Sequence, residues 1–203
     1  MRWAALLLLL GGCAAGDLDR MKDLDARGDW AALAAMHLPE CDGPRDALCA
    51  EAHFLRARGC ARLASGHLSE SDRRRALDCA VEGGRAALAA SAATAPDKRR
   101  AWREAYAAAL FARRQALPGR QACADNAALW AEADRLRAEA PAAPRSRFLA
   151  ASARLSAARL CDAPACPTLA EAAPLLRDPP AEAAAQWRAL SAAIETTARS
   201  LSC

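Results

Sequence analysis

The near absence of isoleucine and valine constrains the fold of this 203-residue chain more than any other feature. Ile194 and Val81 are the only residues of these two types, and aromatic residues make up only 4% of the chain. β-branched and aromatic side chains pack well on a pleated sheet, so this chain has few of the residues from which a sheet core is built. Alanine and leucine, which are strong helix formers, supply most of the 54% apolar fraction. The composition therefore predicts an all-α protein.

The spacing of apolar residues predicts about nine helices joined by short connections. Leu18, Met21 and Leu24 recur every third residue and so share one face of a helix over 17–27. Further along, Ser69 and Asp72 form a helix-start signal, and Pro118-Gly119 forms a stop signal. Because the connections are short, sequential helices should run antiparallel. We expect an array of antiparallel helical hairpins.

The first thirteen residues, MRWAALLLLLGGC, have the layout of an export signal. They combine one positive charge, an apolar run over 3–10, two glycines and a cysteine. A run of this length is too short to cross a bilayer, which requires roughly 20 residues. We therefore expect 1–12 to be a signal peptide that is removed.

The end of this segment, Leu10-Gly11-Gly12-Cys13, resembles the lipobox of bacterial lipoproteins. The resemblance implies that processing occurs before Cys13 and that this cysteine carries lipid, which anchors the chain to a membrane. Residues 13–16 would then form a lipidated tether, and 17–203 the helical-hairpin domain. In that family the residue after the lipidated cysteine influences sorting. With Ala14 at this position in place of an aspartate, the chain resembles the lipoproteins that are sorted to the outer membrane. The implied location is therefore the periplasm-facing side of the outer membrane.

A second resemblance lies at Gly28-Asp29-Trp30-Ala31-Ala32-Leu33, which is similar to the turn between the two helices of a tetratricopeptide repeat. In that family, helix pairs stack into a curved array whose inner face grips a partner peptide. A strict period of about 34 residues does not fit the rest of the chain. The resemblance therefore implies a tetratricopeptide-like arrangement of hairpins.

The chain contains nine cysteines. With Cys13 reserved for lipid, eight remain. An exported chain enters an oxidising compartment, where an even number of cysteines is typical of a disulfide framework. The eight residues are Cys41, Cys49, Cys60, Cys79, Cys123, Cys161, Cys166 and Cys203.

The turns between helices suggest how these cysteines pair. Residues equally distant from the turn of a hairpin face each other, and Cys123 and Cys161 each lie nineteen residues from position 142, inside the proline-flanked turn 141–144. By the same reasoning Cys60 should pair with Cys79 across the turn 66–71, within the roughly 6 Å between Cα atoms that a disulfide needs. The two remaining predicted pairs are Cys41 with Cys49, across 42–44, and Cys166 with Cys203.

A metal site is the alternative interpretation of some of these cysteines. His37, Cys41, Cys49 and His53 form a His-x3-Cys-x7-Cys-x3-His run, and Cys49 and His53 would lie one helical turn apart. The cysteine spacing differs from the two to four residues typical of zinc fingers, and a metal would leave the other cysteines unexplained. We therefore predict neither a metal nor a cofactor.

No catalytic motif is recognisable in the sequence. Trp102 and Tyr106 lie one helical turn apart and could grip a ligand, although such a stripe is more typical of a core. The net charge of +4 comes from arginines interleaved with acidic residues, which is typical of solvated helix faces and does not predict binding to nucleic acid.

These observations favour a non-enzymatic scaffold that binds an envelope protein or peptide. Two alternatives stay open: a cell-wall hydrolase that uses scattered acidic residues, and a carrier of a small ligand or metal. A crevice with two carboxylates about 5 to 10 Å apart would favour the hydrolase. An apolar or arginine-lined groove without such a pair would favour the scaffold.

Overall fold

The structure is a computed structural model that describes the backbone of residues 4–203 and the side chains of residues 16–203. Within this part of the chain, nine α-helices pack against one another and there is no β-strand, which confirms the predicted fold class. The helices are α1 (Ala4–Arg27), α2 (Trp30–Ala35), α3 (Ala47–Ala64), α4 (Glu70–Ala89), α5 (Pro96–Ala116), α6 (Cys123–Glu139), α7 (Pro144–Leu160), α8 (Ala165–Ala172) and α9 (Ala184–Ser200). None of these helices, over the described residues, is both long and apolar enough to span a bilayer.

Helix boundaries follow local sequence signals. Gly28 ends α1 with a φ of +70°, a conformation that costs glycine little. The Asp29 carboxylate then accepts a hydrogen bond from the Ala32 amide at 3.1 Å and caps α2. The predicted start signal of α4 is also present, since Ser69 Oγ accepts from the Asp72 amide at 3.1 Å.

The chain divides into two compact units, Met1–Ala109 and Leu110–Cys203. The sequence predicted one helical-hairpin domain over 17–203. The first unit is centred on the hairpin of α3 and α4, and the second on the hairpin of α6 and α7. Helix α5 contributes residues to both units.

In the first unit, glycines allow α3 and α4 to approach closely. A Cβ atom placed on Gly83 would lie 3.0 Å from Ala57 Cβ and 3.1 Å from the His53 carbonyl oxygen. A Cβ on Gly59 would lie 3.1 Å from the Leu33 side chain, where α3 meets α2. These distances are shorter than ordinary van der Waals contact, so larger residues at these positions would push the helices apart.

The second unit contains a buried guanidinium that joins three helices. Arg114 on α5 donates to Asn126 Oδ1 on α6 at 2.8 Å and to Ser152 Oγ on α7 at 2.8 Å. Burial lowers the pKa of Arg114 to about 10, so the side chain is still charged at neutral pH. The charge is compensated by hydrogen bonds to neutral acceptors, which include the Ser152 carbonyl at 3.2 Å.

Two disulfides lie in each unit, and the four pairs are the same as those predicted from the sequence. The Cα atoms of each pair are 5.2 to 5.9 Å apart. The bridge with the widest separation spans 38 residues, and a chain-entropy model assigns about 4 kcal/mol of stabilisation to a loop of that length. The pairs are Cys41–Cys49, Cys60–Cys79, Cys123–Cys161 and Cys166–Cys203.

We predict that Gly83→Ala lowers the free energy of unfolding. The new methyl group would contact the backbone of α3, which cannot rotate away, and overpacking of this kind costs about 1 to 3 kcal/mol. Alanine's better helix propensity offsets up to about 1 kcal/mol of that loss. Urea denaturation measured by circular dichroism checks the prediction.

Gly43→Ala is the matched control, because no atom lies within 4 Å of a Cβ built at this loop position. Its unfolding midpoint should equal that of the parent protein. Equal midpoints for all three proteins would show that the α3–α4 approach does not require a glycine.

Candidate functional site

A groove of about 680 Å³ opens on the surface of the second unit. It lies where the end of α6, the side of α7 and the segment after α8 converge. Four of the nine residues that line it are arginines. The lining residues are Arg137, Pro141, Arg147, Arg154, Glu171, Pro174, Leu175, Arg177 and Asp178.

Arg154 is the most buried arginine of the groove lining and has ion-pair partners on two other helices, and its side chain is only 8% exposed. Both of its terminal nitrogens lie 3.1 Å from the carboxylate oxygens of Asp134 on α6, and Nε lies 3.3 Å from Glu171 on α8. The guanidinium also lies over the Trp130 ring, 4.7 Å from its centroid. Arg154 therefore links three helices and has little capacity left for a ligand.

The Asp134 carboxylate accepts hydrogen bonds from Arg154 and from two other side chains. Besides Arg154, it accepts a hydrogen bond from Trp130 Nε1 at 2.8 Å and pairs with Arg137 at 3.0 Å. Two of the four arginines, Arg137 and Arg154, are thus neutralised by carboxylates within the fold. Their positive charge is largely compensated before any ligand arrives.

The other two arginines have no carboxylate within ion-pair distance among the described residues. Arg147 Nε donates to the Leu175 carbonyl at 3.0 Å, Nη2 donates to the Arg177 carbonyl, and the guanidinium lies over the Trp187 ring at 5.0 Å. These contacts fix the guanidinium and leave Nη1 free to donate. Arg177 is exposed, and its side chain makes no hydrogen bond or ion pair within the described part of the chain.

The charge balance of the groove favours an anionic ligand. Arg137 and Arg154 are paired with Asp134 and Glu171, whereas Arg147 and Arg177 have no carboxylate at ion-pair distance among the described residues, and Asp178 is the one other acidic residue of the lining. Guanidinium groups bind carboxylates or phosphates through paired N–H donors, and Arg147 and Arg177 are the two that have donors available. The arrangement can therefore hold an anion by hydrogen bonding and charge.

The predicted lipidation site and processing residues lie outside the side chains that the structure describes. They are Cys13, Leu10, Gly11 and Gly12. The predicted aromatic pair is described, and it is core: Trp102 is 3% exposed and Tyr106 is 7% exposed. Trp102 stacks on Phe54 with ring centroids 5.0 Å apart, so the pair is not available to a ligand.

The structure brings together three of the four residues in the alternative metal run. The ligand atoms of Cys41, Cys49 and His53 lie within 4.8 Å of one another. His37 is exposed and is not part of this cluster. The two cysteines are joined by a disulfide, so in this state their sulfurs are not thiolate ligands.

The arginine-lined groove was not predicted from the sequence. Arg147 and Arg154 are seven residues apart on α7 and therefore share a face, which is the one local signal for it. The residues that complete the groove come from α6, the connection between α6 and α7, α8, the 3₁₀ turn Ala173–Leu176 and the two residues after that turn, and their convergence depends on the tertiary fold.

Comparisons of the chain with protein-family models, curated proteins and solved structures gave no match.

We predict that Arg154→Gln destabilises the second unit by about 2 kcal/mol. The change removes the donor that joins Asp134 to Glu171, and the cost is below that of a fully buried ion pair because Asp134 is 38% exposed. Urea denaturation provides the measurement. Arg177→Gln is the control and should shift the free energy by less than about 0.5 kcal/mol, because its side chain has no hydrogen-bond or ion-pair partner among the described residues. Equal effects of the two variants would contradict the assigned contacts.

Proposed function

We propose that this chain is a lipid-anchored protein of the bacterial envelope that acts as a scaffold and binds an acidic segment of another envelope protein. The observation that carries the proposal is the arginine-lined groove of the second unit. The lipobox-like Leu10-Gly11-Gly12-Cys13 supports the location, and the eight paired cysteines are consistent with an oxidising compartment.

The shape and chemistry of the groove support a peptide ligand. Its volume of about 680 Å³ is large enough for several side chains, and its wall includes apolar surface from Pro141, Pro174 and Leu175 next to the arginines. An extended segment could place an acidic side chain on Arg147 or Arg177 and an apolar side chain on the prolines. A groove that combines anchoring charges with apolar surface suits such a segment.

The same groove gives little support to a hydrolase. A glycoside hydrolase needs two carboxylates that face the bond to be broken, and the groove offers Glu171 and Asp178. Glu171 is 61% exposed and is bound by Arg154 Nε, so it does not sit in the apolar, unpaired setting that suits a catalytic acid. A scaffold that binds an acidic segment uses the arginines and prolines of the groove, whereas a hydrolase would use only Glu171 and Asp178.

Crosslinking in intact cells, with Arg177→Glu as the decisive variant, tests the proposal. Captured proteins are identified by mass spectrometry and quantified against the parent chain. Reversal of a charge that contacts an acidic partner costs about 1 kcal/mol or more, so capture of a specific partner should fall about fivefold or more. Because the Arg177 side chain has no hydrogen-bond or ion-pair partner in the part of the chain that the structure describes, its loss should leave the fold intact.

Arg73→Glu is the matched control. Arg73 is an exposed arginine on α4, in the first unit, and its side chain also makes no ion pair within the described residues. A partner captured equally by the parent and Arg73→Glu, but poorly by Arg177→Glu, would support the groove as the binding site. Equal capture by all three proteins would refute that assignment.

A further inference from the structure

We propose that reduction of the Cys41–Cys49 disulfide creates a binding site for one thiophilic divalent metal ion, held by the two cysteine sulfurs and the imidazole of His53. The proposal concerns the first unit and does not depend on the proposed scaffold function. It rests on the one group of three or more metal-ligating side chains found among the described residues.

The cluster has nearly the dimensions of a metal site. The three ligand atoms lie within 4.8 Å of one another. In a tetrahedral zinc site with Zn–S bonds of about 2.3 Å, neighbouring sulfur ligands are roughly 3.8 Å apart. The sulfurs are closer than this while they are bonded to each other, so the disulfide and the metal are mutually exclusive. Only a small separation of the two side chains converts one state into the other.

The ligands on α3 are held in place by contacts that do not involve the disulfide. Cys49 and His53 are four residues apart and lie on one face of the helix, and the Cys49 amide donates to the capping carboxylate of Asp46 at 3.0 Å. His53 Nε2 donates to the Pro39 carbonyl at 3.0 Å. To bind metal, the ring either gives up this hydrogen bond or binds through Nδ1.

The loop that carries Cys41 is also held by other contacts. The hydrogen bond from His53 to Pro39 fixes the loop on one side of Cys41, and a hydrogen bond from the Ala92 amide to the Pro44 carbonyl, 2.8 Å long, fixes the other side. Cys41 itself packs against the buried cluster that contains Trp102. Reduction should therefore leave the two thiols near His53.

Accessibility distinguishes this disulfide from the Cys60–Cys79 bridge. Cys41, Cys49 and His53 are each half-buried, whereas in the other bridge Cys79 is half-buried but Cys60 is only 2% exposed, and neither of these two cysteines belongs to a metal-ligand cluster among the described residues. A dithiol reductant can reach the half-buried pair, and a metal ion can then enter from solvent. Solvent supplies the fourth ligand of a tetrahedral ion.

Formation of the metal site takes two steps, reduction of the disulfide and then binding of the ion. A dithiol reductant transfers two electrons and two protons to the Cys41–Cys49 bond and is itself oxidised to a disulfide. The metal ion then binds both sulfurs and displaces the two thiol protons to solvent, and the neutral imidazole of His53 adds the third ligand. Two thiolates neutralise a divalent charge, and thiolate with imidazole selects metals such as zinc over calcium or magnesium.

Anaerobic titration with Co²⁺ tests the proposal, because tetrahedral cobalt bound to thiolate has characteristic visible and near-ultraviolet bands. The full chain is reduced, freed of reductant and titrated, with circular dichroism used to check that its helices persist. We expect one equivalent of Co²⁺ to bind to the reduced chain and none to the oxidised chain. Zn²⁺ should displace the cobalt and bleach the bands.

Three variants locate the site. Cys41→Ser/Cys49→Ser should abolish the bands, and His53→Gln should weaken Co²⁺ binding at least about tenfold. Cys166→Ser/Cys203→Ser, the matched control, should still bind one equivalent. A reduced chain that keeps its helices and binds no cobalt would overturn the proposal, and so would unchanged binding by the Cys41→Ser/Cys49→Ser variant.

Loss of the helical signal on reduction calls for a variant that needs no reductant. Cys41→His leaves the other three disulfides intact and presents two imidazoles and the Cys49 thiol at the same place. Binding of one Co²⁺ by this variant, lost when His53→Gln is added, would support the site. Absence of binding would refute it.

Discussion

Covalent links between neighbouring helices are the constraint on which the rest of this structure depends. Alanine buries little area, so an alanine-rich interface gains little hydrophobic free energy for each residue it orders. The Cys60–Cys79 bridge joins α3 to α4, and the Cys123–Cys161 bridge joins the start of α6 to the residue that follows α7. Both bridges hold together the hairpin at the centre of a unit. The bridges restrict the conformations of the unfolded chain, and this stabilisation adds to the small hydrophobic free energy that small side chains contribute.

Close approach of the helices is the second consequence of small side chains. Gly83 meets the backbone of α3, and a Cβ on Gly84 would lie 2.8 Å from the Tyr106 ring. Such contacts give dense packing without large residues, but they tolerate no added volume. In the second unit, arginines take over part of this linking role. Arg114 joins α5, α6 and α7, and Arg154 joins α6, α7 and α8, through hydrogen bonds that a short side chain could not reach.

The fold was predictable from the sequence because its determinants are local. Ile and Val are nearly absent, which argued against a sheet. The residue spacing about three turns predicted three disulfide pairs and left Cys166 and Cys203 as the fourth, and the structure contains the same four pairs. The groove was not predictable, because Arg147 is positioned by the carbonyls of Leu175 and Arg177, which lie 28 and 30 residues further along the chain. Nothing in the arginine spacing distinguishes a groove wall from a solvated helix face. The sequence run indicated Cys41, Cys49 and His53 as possible metal ligands, but it also included His37, which is exposed and lies outside the cluster.

Our central proposal is that this chain acquires its four disulfides after export and lipid attachment. Intact mass spectrometry of the protein isolated from cell membranes, with free thiols alkylated before lysis, tests it most directly. The account predicts a chain that begins at Cys13, carries the added mass of lipid, and has no alkylated cysteine until it is reduced. A chain that retains residues 1–12 and has its cysteines alkylated without reduction would contradict the account.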